Sequence, residues 1–205
     1  MTNDGNFSQI RDKYSKALAT HGDSPAALFW PKGRQEVRFH ALIEPLLRVD
    51  ERNLSLCDFG SGLGHMQEFI DRLYPKKFDY RGYDMVPELV HRANAEGRNV
   101  QLITPDQEIE DFDAIVCSGV FNLRYYDEDQ KNKTFVLDRI RSLLSHARRY
   151  FACDFMRPDV DYRQPSAWHQ PLDILVAAVT ECSRDIEIVM RELPYEYTLR
   201  VYKSA

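Results

Sequence analysis

The sequence predicts an α/β domain: a mostly parallel sheet closed by a C-terminal antiparallel hairpin, with an N-terminal helical cap in front. Three observations carry this. From residue 54 onward, seven strand-like runs alternate with helical segments, which implies βαβ units and a parallel sheet. The last two runs have no helix between them, so they pair as a hairpin. The 205 residues suit one core and leave no room for two full domains.

The elements follow in order. Residues 7–18 carry Phe7, Ile10, Tyr14 and Leu18 at helical spacing. The stretch 20–33 is rich in Gly and Pro and reads as a loop. Residues 34–48 form a second helix with Val37, Leu42, Ile43, Leu46 and Leu47 inward, and Pro45 kinks or ends it. Residues 1–52 are thus the cap, and 53–205 the core. Leu54 to Phe59 is a short buried strand running into glycines. His65 to Leu73 is a helix with Met66, Phe69, Ile70 and Leu73 on one face. A strand over 78–84 precedes a helix opened by Pro87 and ending near Gly97. Strands at 100–103 and 112–118 lead to a helix over 128–146, whose apolar positions are Phe135, Leu137, Ile140, Leu143 and Leu144. A strand at 150–155, a loop to residue 170 and a helix over 171–182 follow. The chain closes with strands at 185–193 and 196–203, turning near Pro194.

Composition narrows the function. With 27 basic against 32 acidic residues the net charge is −5, which excludes a chain held to nucleic acid by general electrostatics. Arg139, Arg141, Arg148 and Arg149 form a local basic segment, read as a solvated helix face. The run Ile174 to Val179 is far shorter than the roughly 20 apolar residues a membrane helix needs, so no membrane insertion is expected. Met1 to Ile10 is polar and lacks the apolar core of a signal peptide, and a cytoplasmic protein is expected. Cys57, Cys117 and Cys153 fall in strand-like runs and read as small buried hydrophobes. Neither the four cysteines nor the six histidines show ligand spacing, so no structural metal is expected.

The informative stretch is Asp58-Phe59-Gly60-Ser61-Gly62-Leu63-Gly64, which follows the first strand and opens a helix. Glycines there permit a tight turn and bring bare backbone to a ligand, and a helix N-terminus offers free N–H groups. Asp84 ends the second strand, where an acid reaches the two hydroxyls of a ribose. A dinucleotide fingerprint would place Gly or Ala at position 65. His65 stands there instead and would obstruct close helix–strand packing. The pattern acidic-x-Gly-x-Gly-x-Gly fits at every position.

Through this turn, the spaced acid and the terminal hairpin, the chain resembles the class I S-adenosylmethionine-dependent methyltransferases over residues 54–203. The resemblance implies a Rossmann-like seven-stranded sheet and S-adenosylmethionine as cofactor. It implies that Asp58, Gly60, Ser61, Gly62 and Gly64 cradle the methionine half and that Asp84 binds the ribose, although Asp84 can also cap the helix opened by Pro87. Met85 would flank the adenine and Asp106 would meet its edge, though Asp106 is nearly as well read as a solvated loop acid. Ser118 and Gly119, in the Ser118–Asn122 loop, would face the transfer site. That loop lacks the Asn/Asp-Pro-Pro-aromatic signature of amide and base methylators, and Cys153-Asp154-Phe155 lacks the acidic pairing of magnesium-dependent catechol methylators. The stretches Tyr14-Ser15-Lys16, His21-Gly22, Pro25, Trp30, Arg38-Phe39, Ser118–Asn122 and Tyr195-Glu196-Tyr197-Thr198 are similar to those of small single-domain bacterial methyltransferases of glycans or secondary metabolites.

Methyl transfer from a sulfonium is an in-line substitution that needs chiefly alignment. A hydroxyl acceptor also benefits from a general base. The candidates are His21, His169 and Asp154, each of which can equally be a packing, surface or capping residue. Tyr14 and Trp30 are candidates for a lid over the sulfonium, or they pin the cap to the core. Arg38 can pair with the cofactor carboxylate or with a surface acid. Tyr125, Tyr126, Tyr162 and Trp168 are placed around the pocket mouth. The expected acceptor is a small molecule or glycan-linked group, with oxygen slightly favoured over nitrogen. The competing expectations are a protein or RNA methyltransferase, and a methyltransferase-like binding or scaffold protein without turnover.

Overall fold

A computed structural model describes residues 5–31 and 33–203. Its seven strands form one sheet: β1 (Leu54–Phe59), β2 (Phe78–Asp84), β3 (Val100–Leu102), β4 (Phe112–Cys117), β5 (Ala147–Met156), β6 (Asp185–Val189) and β7 (Glu196–Tyr202). The spatial order is β3-β2-β1-β4-β5-β7-β6. β1 to β5 pair in parallel, and β7 inserts antiparallel between β5 and β6. The order reverses between β1 and β4, the point where open α/β sheets bind ligands beyond their strand C-termini. The helices are α1 (Phe7–His21), α2 (Arg34–Leu47), α3 (His65–Leu73), α4 (Pro87–Ala95), α5 (Asp129–His146) and α6 (Leu172–Thr180), and a 3₁₀ turn covers Pro25–Leu28.

The two-residue period of the strands divides the core. Leu54, Leu56, Ala114, Val116, Tyr150 and Ala152 point to one face and pack with Phe39, Leu42, Ile43 and Leu46 of α2 and Met66, Phe69 and Ile70 of α3. Cys57, Phe59, Ile115, Cys117, Phe151 and Cys153 point to the other and meet Ile140, Leu143 and Leu144 of α5 and Leu175 and Val179 of α6. Burial of the three strand cysteines follows from this parity and pushes the Cys57 and Cys153 thiols up.

Several expectations are corrected. Val37 and Leu73 are exposed, because α2 and α3 turn a narrower face to the sheet than their apolar spacing suggests. In α2 the buried set includes Gln35, Arg38 and Phe39 instead, and Pro45 sits inside the helix, two residues before its end. β5 begins at Ala147, so Arg148 and Arg149 lie on a strand. Arg139 is buried in α5. Arg141 pairs with Asp138 and Glu181, and Arg149 with Glu51. Among the described residues no helix is long and apolar enough to cross a membrane.

Candidate active site

A cavity of about 370 Å³ opens at the C-terminal ends of β1, β2 and β4, roofed by α1, the 25–31 segment and the start of α2. Its size falls within the range of small-molecule sites. The β1–α3 turn forms its floor. Gly60, Gly62 and Gly64 all have left-handed backbone, at φ 77°, 57° and 69°. An L side chain would be strained there, and a Cβ on Gly62 would stand 2.9 Å from Leu28 Cδ2. Gly60, Ser61 and Gly62 line the cavity. Gly64 does not: it is the N-cap of α3, and its hydrogen-side faces Val100 and Arg98.

Asp84 lies at the end of β2 with both oxygens engaged once. Oδ2 accepts from Gly62 N at 2.8 Å and Oδ1 from Val86 N at 2.9 Å. A carboxylate has about four acceptor sites, so two remain for ligand hydroxyls. Val86, not Asp84, is the N-cap of α4. Burial pushes the Asp84 carboxyl up to about 6, against the backbone bonds of Val86, Gly62 and Met85 that hold it down. Asp58, two residues before Gly60, accepts from Tyr80 Oη at 2.9 Å. Burial raises it to about 7, the Tyr80 bond opposes this, and the nearby Asp84 and Asp154 charges add to it. Met85 lines the cavity beside Asp84.

The cap contributes Tyr14, Trp30 and Arg38, all on the cavity wall. Burial, with the Asp84 charge behind it, raises the Tyr14 phenol. Trp30 lies against Gly119, where a Cβ would come within 2.5 Å of its ring. Arg38 is 5% exposed and stacks 4.1 Å from the Trp30 ring. It donates through Nε to Glu196 Oε2 at 2.6 Å and through Nη2 to Glu196 Oε1. Its Nη1 is buried without a partner, a costly state for a charged donor. That orphan donor suits a carboxylate.

The predicted bases fare differently. Asp154 is buried under the Ser118–Asn122 loop and does not line the cavity. Its Oδ2 accepts from Ser118 Oγ at 2.9 Å, and its Oδ1 accepts from Gly119 N at 2.8 Å and Asn122 Nδ2 at 3.4 Å. Burial, then the neighbouring Glu196 charge, lifts it to about 7. It shapes the loop that carries Ser118 and Gly119, which do line the cavity. His169 is buried outside the cavity, with Nδ1 2.7 Å from the Arg157 carbonyl. His21 is exposed on a shallow groove along the outer face of α1. Asp106 is fully exposed and bonds back to Thr104, and Ile103, Thr104 and Pro105 meet the cavity in its place. Tyr125 lines the cavity, buried, with its hydroxyl on the Val120 carbonyl; Tyr126 packs on Phe7 and Phe135. Tyr162 is exposed, and Trp168 is buried with Nε1 on Gln170.

Residues not foreseen complete the wall: Gln35 and Phe39 from α2, Glu196 from β7, and Arg139, whose guanidinium lies 4.8 Å from the Phe59 ring. The helical period of α2 placed Gln35 and Phe39 within reach. Glu196 lay in the Tyr195–Thr198 stretch that carried the resemblance but had no signal of its role, since β7 reaches the site only through its antiparallel insertion.

The chain aligns along its full length with magnesium protoporphyrin IX methyltransferase from Synechocystis PCC 6803, solved with bound SAM, covering 100% of both chains at a TM-score of 0.66 and 14% identity. The fold is that of the S-adenosylmethionine-dependent methyltransferases. The plantazolicin methyltransferase BpumL, solved with a substrate analogue and SAH, gives 0.64 at 14% identity over 97% of this chain and 99% of its own. The sugar N-methyltransferase KedS8 from Streptoalloteichus sp ATCC 53650 gives 0.64 at 13% identity over 93% of each chain. No protein-family model matches the sequence, and no curated protein matches it.

Proposed function

We propose that the protein is an S-adenosylmethionine-dependent methyltransferase acting on a small acceptor. The carrying observation is one cavity that gathers a bare left-handed glycine turn, a ribose-height carboxylate with two acceptor sites to spare, and an orphan guanidinium donor. Asp84 would hold the ribose hydroxyls, Gly60, Ser61 and Gly62 would present backbone to the methionine half, and Arg38 Nη1 would meet its carboxylate. Met85, Ile103 and Thr104 would border the base. When bound, the cofactor supplies an already activated methyl group.

The chain's own residues then align and exclude water. Trp30 and Tyr14 roof the cavity with π faces that favour a sulfonium. The Asp154 bonds fix Ser118 and Gly119 beneath them. Of the three predicted bases, none lines the cavity, and Glu196 is committed to Arg38. Transfer therefore rests on alignment, which suits a neutral amine or an acceptor oxygen already ionised near neutral pH. The similar folds include methyltransferases named for a porphyrin, a peptide natural product and a sugar, which supports a small acceptor. A panel of small amines, phenols and acids incubated with S-adenosylmethionine should give a product heavier by one methylene, with S-adenosylhomocysteine released in equal amount. Methylation confined to RNA or protein substrates would overturn the small-acceptor reading.

A further inference from the structure

We propose that the acceptor carries an oxyanion, a carboxylate or phosphate, beside a flat apolar portion, and that Lys13 and Arg34 hold that anion at the cavity mouth. This rests on the methyltransferase reading above and names its substrate class. The carboxylates that line the cavity are all committed: buried Asp58 to Tyr80, buried Asp84 to backbone N–H groups, and half-buried Glu196 to Arg38. The charges left at the solvent end are cationic. Lys13 and Arg34 both line the cavity and are exposed. Neither makes an ion pair among the described residues, whereas Arg38, Arg98 and Arg200 pair with Glu196, Asp23 and Glu187.

Local structure does not account for either cation. Lys13 Nζ stands 4.4 Å over the ring of Phe29, which positions the ammonium without neutralising it. Arg34 is the first residue of α2, where a positive charge opposes the helix dipole. In a chain of net charge −5, two such cations lining one cavity concentrate anions there. Two large exposed aromatics also line the cavity, Phe29 at 49% and Tyr195 at 52%. Phe29 is held at φ 60°, a left-handed conformation that bulky residues rarely adopt. Its ring meets that of Tyr14 edge-on at 5.3 Å. Exposed aromatic rings and two cations without acidic partners, all lining one cavity, fit an acceptor that is planar and anionic.

The test first loads the protein with S-adenosylhomocysteine; absence of that binding would overturn the methyltransferase reading and this one with it, whereas the outcomes below overturn this one alone. The loaded protein is then titrated with 4-hydroxybenzoate, phenyl phosphate and neutral 4-hydroxybenzamide, followed by ligand-observed NMR. The expected result is that at least one anion binds about tenfold tighter than the amide, each exposed pairing contributing a few-fold. Which anion wins separates carboxylate from phosphate. Lys13→Met with Arg34→Met should abolish the preference and leave S-adenosylhomocysteine affinity unchanged. Phe29→Ala should weaken the anions and the amide alike. Three results would each overturn the proposal. One is equal binding of amide and anions, or no anion binding at all. Another is a preference that survives the double substitution. The last is loss of S-adenosylhomocysteine affinity in the double variant, which would assign the two cations to the cofactor.

Discussion

Gly119→Ala probes the junction between cap and core. Gly119 has φ 74°, and a Cβ there would lie 2.5 and 2.7 Å from two ring carbons of Trp30. The left-handed backbone costs an alanine about 1–2 kcal/mol. Overpacking against a rigid ring adds about 1–3 kcal/mol. The expected loss is therefore about 2–5 kcal/mol in chemical denaturation. Gly97→Ala provides the control: φ is 82° but nothing lies within 4 Å, so only the backbone cost applies. At roughly 2–4 °C per kcal/mol for a chain of this size, the two variants separate clearly in thermal melts. A double-mutant cycle isolates the steric part. In a Trp30→Ala background, Gly119→Ala should cost no more than Gly97→Ala. Equal costs for the two glycines in the wild-type background would show that the cap does not rest on the Ser118–Asn122 loop.

Other outcomes follow from the same geometry. Asp84→Ala should weaken S-adenosylhomocysteine by about 1.5–3 kcal/mol through loss of charge-assisted hydrogen bonds, and unchanged affinity by calorimetry would move the ribose contact elsewhere. Because burial lifts Asp58 and Asp154 to about 7 from an ordinary 3.8, the folded state keeps protons that the unfolded chain has released. Stability should therefore fall as pH rises from about 4 to about 7 and level off above it. Asp58→Asn should flatten that slope, and a stability that climbs across the window would contradict it. The depressed Asp23 and Asp113 act in the opposite sense, but only below their ordinary value. His21→Ala and His169→Ala should leave turnover of any acceptor found unchanged, since neither lines the cavity; a hundredfold loss of kcat in either would restore it as a base.

The strands and the glycine turn were legible in the sequence because their signals are local. A two-residue period fixes which face Cys57 or Ile115 meets, and acidic-x-Gly-x-Gly-x-Gly fixes a turn. The Asp84 position followed from its spacing after the glycine turn, at the end of the second strand. What was not legible depends on distant packing. Asp154 sits at a strand C-terminus, as a catalytic acid would, yet the Ser118–Asn122 loop folds over it. Arg139 looked solvated within a basic segment, but its place on α5 turns it toward Phe59. Glu196 reaches Arg38, 158 residues away, through a strand insertion that no short-range pattern announces.

The most direct measurement is calorimetric titration of the protein with S-adenosylhomocysteine, alongside S-inosylhomocysteine and NAD as comparison ligands. Saturable one-to-one binding of S-adenosylhomocysteine, lost or much weakened in Asp84→Ala, is the expected result. Binding of NAD instead, or no heat at millimolar S-adenosylhomocysteine, would contradict the assignment of this cavity to a methyl donor.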